Sequence, residues 1–91
     1  MALLWTSSAR GDLVRIYEFL GPVDLRAAGV AVRQLVAGAK RIAVHPRLGN
    51  RLRGFGRREV RRLLIGDHEL RYELAGRDII VLRIFHTRED R

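Results

Sequence analysis

Residues 60–86 read as three consecutive β-strands, and this stretch limits the possible folds more than any other. Between His68 and Leu74 the chain alternates strictly, with His68, Leu70, Tyr72 and Leu74 on one side and Glu69, Arg71 and Glu73 on the other. A period of two belongs to a strand with one face buried. The flanking runs, 60–65 and 79–85, are rich in β-branched and large apolar residues, and each joins the middle run through a short turn bearing Gly or Asp. The expectation is a three-stranded antiparallel meander with an apolar side that something else must cover.

The covering layer lies in the first half of the chain. Residues 2–6 form a short apolar run, expected as a strand, and Ser7-Ser8 can cap a helix by accepting hydrogen bonds from its first free N–H groups. Ala9, Leu13, Ile16, Tyr17 and Leu20 then recur at three- and four-residue steps, with Asp12 near the start, where the helix dipole favours an acid. Gly21-Pro22 ends this helix. Asp24 can cap a second, in which Leu25, Ala28, Val32, Leu35, Val36, Ala39, Ile42 and Ala43 form one stripe, and His45-Pro46 stops it near Val44. Helices joined by so short a turn lie antiparallel. The predicted architecture is therefore α+β: an N-terminal strand, then an antiparallel helical hairpin packed on a small, mainly antiparallel sheet, in the order β-α-α-β-β-β. Ala27, Val30 and Ala31 add a second apolar strip to helix two. It is either alanine-rich filler or, if exposed and continuous with other apolar surface, a docking site.

Length and composition bound the rest. A chain of 91 residues is one domain, 1–91, with a single core. Without cysteine there is neither a disulfide framework nor a thiolate metal site. The N-terminus lacks the basic flank and long apolar run of a signal peptide, and no apolar run approaches the roughly 20 residues that span a bilayer. A cytoplasmic protein without membrane association is expected. The formal net charge is +8, and of 18 basic residues only Lys40 is a lysine. Arginine suits phosphate, carboxylate and aromatic partners, although a GC-rich genome produces the same bias. Arg47, Arg51, Arg53, Arg57, Arg58, Arg61 and Arg62 fall within sixteen residues that hold one acid, Glu59. Residues 47–58, with Gly49, Asn50, Gly54 and Gly56, read as a loop whose purpose is electrostatic.

Conventional sites are mostly excluded. His45, His68 and His86 lack the spacing and carboxylate companions of a zinc site, so no metal is expected. Gly54-Phe55-Gly56 lacks the strand, helix and lysine of a nucleotide cradle, and no cofactor is expected. What remains is a basic sheet with Arg61, Arg62, Arg71 and Arg83 on its strands and His86 at its end. Arginines on a solvent-facing sheet can simply keep it soluble. Metal-free cleavage of RNA needs a base, an acid and cationic donors, which histidine and arginines can supply. In a regular strand, however, Arg83 and His86 point to opposite faces. Aromatics are only 7% of residues, which leaves little for base stacking in a nucleic-acid-binding module.

Along nearly its whole length the chain resembles the ParE/RelE toxins of bacterial type II toxin–antitoxin modules. The pattern begins with the N-terminal strand and Ser7, Ala9, Asp12, Leu13 and Ile16, and passes through His45-Pro46 and Gly49 at the end of helix two. It continues with a basic strand leading to Gly66, His68, Leu70 and Tyr72, and closes with Ile80, Leu82, Arg83, Ile84 and His86. The family's fold, a small sheet packed on a helical hairpin, agrees with the reading from periodicity.

What the resemblance implies depends on the branch. Tyr72 and His86 look more like the ParE branch, often plasmid-stabilising, whose members block DNA gyrase by protein contact without a recognised catalytic site. The alternative is a ribosome-dependent mRNA endoribonuclease of the RelE type, with Arg61, Arg83 and His86 as the catalytic candidates. Thr87 stands where that branch has a terminal tyrosine. Either branch implies a cognate antitoxin, acidic in its toxin-binding segment, a hetero-oligomer of the two proteins, and operator DNA engaged only through the antitoxin. The residues expected at the antitoxin are Tyr17, Ala27, Val30, Ala31, Arg71 and Arg83. Those expected at the target are Arg51, Arg53, Arg58, Arg61 and Arg62.

Overall fold

The computed structural model describes residues 2–88. β1 (Ala2–Trp5) is followed by α1 (Ser7–Leu20) and α2 (Leu25–Val44), then by β2 (Asn50–Arg51), β3 (Glu59–Ile65), β4 (His68–Ala75) and β5 (Asp78–His86). The strands form one sheet in the order β1-β5-β4-β3-β2. β3, β4 and β5 are the expected antiparallel meander, and β1 joins β5 in parallel with Leu3 opposite Ile79 and Trp5 opposite Val81. The expected β-α-α-β-β-β order lacks β2. That strand is two residues long, pairing Asn50 with Arg62 and Arg51 with Arg61, and is too short to carry a period.

The helical hairpin covers one face of the sheet. Leu70, Tyr72, Ile79, Val81 and Ile84 meet Ala9, Ile16, Leu35, Ala39 and Ile42 in the core. Gly38 marks the closest approach of α2, because a Cβ there would overlap the Ile65 side chain. The helical stripes are shifted slightly from expectation. Leu25 and Tyr17, both assigned to the core side, are exposed, whereas Asp12 is buried. Ala9, Asp12 and Ile16 share the inner face of α1 at three- and four-residue spacing, so an acid occupies a core position.

The reason lies at the edge of β5. β1 ends at Trp5, so on that side residues 82–86 of β5 have no neighbouring strand, and polar groups at the start of α1 take its place. The Thr6 amide donates to Val81 O (3.1 Å). Thr6 Oγ1 donates to Leu82 O (2.8 Å) and accepts from Ala9 N (3.0 Å), so Thr6 is the helix cap rather than the expected Ser7 or Ser8. Asp12 Oδ2 accepts from Ile84 N (2.8 Å), and Arg15 donates to Ile84 O (3.3 Å). Arg83 Nε donates to the same Asp12 oxygen (2.9 Å). An unpaired buried backbone group costs about as much as a lost hydrogen bond, and these side chains remove that cost.

Burial by itself raises the pKa of the Asp12 carboxyl. The bond from Arg83, the Ile84 amide and the charges of Arg83 and Arg15 outweigh it and hold the carboxyl below its ordinary value. Asp12→Ala should lower unfolding stability in urea by about 1–3 kcal/mol, the cost of an orphaned buried partner. Because the folded-state value is depressed, this stabilisation is fully present above the unfolded carboxyl's pKa, about 4, and is lost as pH falls through the folded value. The stability difference between wild type and Asp12→Asn should therefore shrink on acidification below that point.

Candidate functional site

The arginine loop starts where α2 stops. Tyr72 Oη, from the middle of β4, donates to Pro46 O (2.8 Å) and accepts from Gly49 N (2.9 Å). A Cβ on Gly49 would meet the Arg62 carbonyl and lie 3.0 Å from the Tyr72 ring, so only glycine lets the chain pass. Burial of the phenol, partly offset by the Gly49 bond, pushes the Tyr72 pKa up and keeps the hydroxyl protonated. Arg61 completes the clamp, donating from Nη1 to Gly49 O (2.7 Å) and from Nε to Glu59 Oε2 (2.8 Å).

Other arginines of the segment are tied as well. Arg47 forks onto Glu59 (3.1 and 3.3 Å), and Arg58 onto Glu73 (3.1 and 2.8 Å). The Arg61 bond, reinforced by Arg47, lowers the Glu59 pKa, and the Arg58 bond lowers that of Glu73. On the far side of the sheet Arg62 and Arg71 converge on Glu69, which is buried at 1% exposure. Arg51, Arg53 and Arg57 differ from these. They are exposed, and no ion pair among the described residues includes them.

The three ribonuclease candidates are not brought together. His86 pairs with His68, their rings edge-to-face with centroids 5.4 Å apart. Arg61 pairs with Tyr72, four positions further along β4, or about 13 Å at strand rise. Arg83 lies on the opposite sheet face, stacked with Arg71 around Phe85 at 5.1 and 5.2 Å and bonded to Asp12. Regular alternation divides Arg83 from His86, and a β-bulge sets which face each takes. The register passes from Arg71↔Arg83 to Tyr72↔Val81, which leaves Leu82 as the extra residue, and from Arg83 to His86 the alternation is regular.

A groove of about 660 Å³ opens between the helical hairpin and the end of the sheet where His68 and His86 meet. Its apolar lining is Ile16, Phe19, Leu20, Ala27, Ala31 and Ile65, and its polar lining includes Arg15, Asp67, His68, His86 and Arg88. Phe19, on its rim, is 78% exposed. Of the residues expected at an antitoxin, Ala27 and Ala31 line the groove. Tyr17 and Val30 are exposed on the helices outside it, and Arg71 and Arg83 belong to the other face of the sheet. Phe19 and His68 were missed by sequence reasoning, and His86 was expected as a ribonuclease residue and not as part of the groove. Phe19 falls off the α1 stripe, a signal that could have marked it as surface with a purpose.

This arrangement has relatives. The sequence model of the ParE toxin of type II toxin–antitoxin (parDE) systems matches residues 3–91. The chain belongs to the ParE toxin family. Among solved structures, the ParE-family chain is similar to one described as the chromosomal ParDE TA system from P. aeruginosa. The two are 27% identical with a TM-score of 0.80, over 94% of this chain and 95% of the other. Among curated proteins none is similar enough to match. For this ParE toxin, Tyr72→Phe should lower stability by about 1–3 kcal/mol in thermal or urea unfolding, because Pro46 O and Gly49 N lose a buried partner. Gly49→Ala should cost more, since it forces backbone against backbone.

Proposed function

We propose that this toxin inhibits DNA gyrase by protein contact, without a chemical step of its own, and that its antitoxin silences it from the groove. The observation that carries the choice of target is the separation of Arg61, Arg83 and His86. General acid–base catalysis requires groups within hydrogen-bond reach of one reacting centre. Here one candidate clamps a loop, one bridges to Asp12 across the sheet edge and one packs against a second histidine.

The contact surface for gyrase is the loop after α2. Arg51 and Arg53 supply its charge with Arg57 beside them, and Arg58, Arg61 and Arg62 hold its shape through Glu73, Glu59 and Glu69. A net charge of +8 favours an acidic antitoxin, because complementary potential speeds encounter and suppresses wrong partners. The two proteins form a hetero-oligomer in the cytoplasm, where gyrase works, and reach operator DNA through the antitoxin.

Purified toxin should abolish supercoiling by gyrase, or give gyrase-dependent cleavage of plasmid DNA, while leaving ribosome-bound mRNA intact. His86→Ala should keep toxicity to growth. Arg51→Ala combined with Arg53→Ala should weaken gyrase inhibition while moving stability by no more than about 0.5 kcal/mol per site, as surface changes do. Cutting of mRNA in the ribosomal A site, lost in His86→Ala, would replace this reading with the ribonuclease one.

A further inference from the structure

The outer side of α2 carries a stripe that neither the core nor the groove uses. Arg26, Val30, Arg33, Ala37, Lys40 and Val44 follow one another at steps of four and three residues, which sets them in one line along a helix. All six are exposed, and they lie opposite Ala28, Leu35, Ala39 and Ile42, which face the sheet. Cations recur at every seventh residue, about 10.5 Å apart at helical rise, with only short side chains between them. A helix face kept for solvent gains from acid–base pairs at four-residue spacing, and this one has none. Residues 25–58 hold nine Arg or Lys and not one Asp or Glu, and no ion pair among the described residues includes Arg26, Arg33, Lys40 or Arg41. Gly29 contributes as well. A Cβ there would lie 3.1 Å from Nη1 of Arg33, so the missing side chain leaves room for the guanidinium to lie low on the helix.

We propose that this stripe seats the phosphate backbone of double-stranded DNA, so that the toxin grips the duplex on which gyrase acts as well as the enzyme itself. The proposal deepens the gyrase reading and rests on it for the source of the DNA. A duplex presents one negative charge per about 1.7 Å of its axis, so a straight row of cations about 21 Å long, from Arg26 to Lys40, has phosphates to meet along its whole length. A single acidic side chain would answer one of these cations, whereas a rod of regular charge answers the row. Val30, Ala37 and Val44 are too short to hold a backbone away from the charges beside them. Stacking aromatics, scarce in this chain, serve single strands and are not needed for a duplex whose bases stay paired. Phosphate contacts carry no sequence information, so the choice of operator remains with the antitoxin.

The test is fluorescence anisotropy of a labelled duplex of about 30 base pairs, titrated with the full-length toxin between about 50 and 200 mM salt in the absence of gyrase. Log affinity should fall linearly with log salt concentration. Arg33→Gln and Lys40→Gln should each make that slope shallower by about 0.9, and the double variant by about 1.8. Arg77→Gln, which removes the same charge from the exposed β4–β5 turn, should leave the slope as in wild type. Thermal unfolding measured alongside should be unchanged in all four variants. A slope that Arg77→Gln moves as much as Lys40→Gln does, or one that neither α2 substitution moves, overturns the proposal. So does displacement of the duplex by poly-glutamate at equal charge concentration, which would make the stripe a seat for an acidic protein. Supercoiling by gyrase, assayed with the same proteins, keeps the two readings apart. If wild-type toxin binds the duplex through α2 but leaves supercoiling intact, the DNA seat stands and the gyrase target falls; inhibition of gyrase by a toxin whose salt slope ignores α2 does the reverse.

Discussion

The bond from the Ile84 amide to the Asp12 carboxylate is the constraint on which the rest of this fold depends. A sheet whose first strand is four residues long leaves half of its longest strand uncovered on one side, and a bare edge invites pairing with another chain. The chain covers it with a helix turned so that threonine, aspartate and arginine present donors and acceptors at strand spacing. That orientation fixes α1, the short connection then fixes α2, and the space left between the hairpin and the sheet end is the groove. Packing alone would allow the hairpin to sit at several angles, but the buried carboxylate allows one.

Much of this was legible in the residues. Alternation from His68 to Leu74 marked the central strand and its inward face, and the period of helix two marked its contact side from Ala28 to Ile42. What escaped has physical reasons. The cap fell on Thr6 because that hydroxyl answers two backbone groups, one of them 76 residues away, and nothing local reveals the second. Asp12 looked like an ordinary first-turn acid because its partners lie in β5. β5 carried a readable warning, since strict alternation from Ile79 and Val81 would send Arg83 into the core. A charge in phase with the apolar face announces a bulge, and the extra Leu82 restores Ile84 to the interior.

The arginine excess divides into two populations that composition cannot separate. Arg47, Arg58, Arg61, Arg62, Arg71 and Arg83 each meet a carboxylate of the fold, several with two-pronged geometry. Exposed pairs of this kind add little stability individually, but together they fix side chains that would otherwise sweep through solvent. Arg51, Arg53 and Arg57, close together after α2, are exposed and enter no ion pair among the described residues, and the others are spread over the helices and the β4–β5 turn.

The phenol of Tyr72 has a consequence for that loop. A segment stitched down at its root by a buried hydroxyl, a glycine that admits no replacement and an arginine across the opening does not wait for a partner to arrange it. The backbone at the root of the loop is thus set before any contact, and a partner that gripped it would lose little backbone entropy, whereas the exposed side chains of Arg51, Arg53 and Arg57 would still have to be ordered.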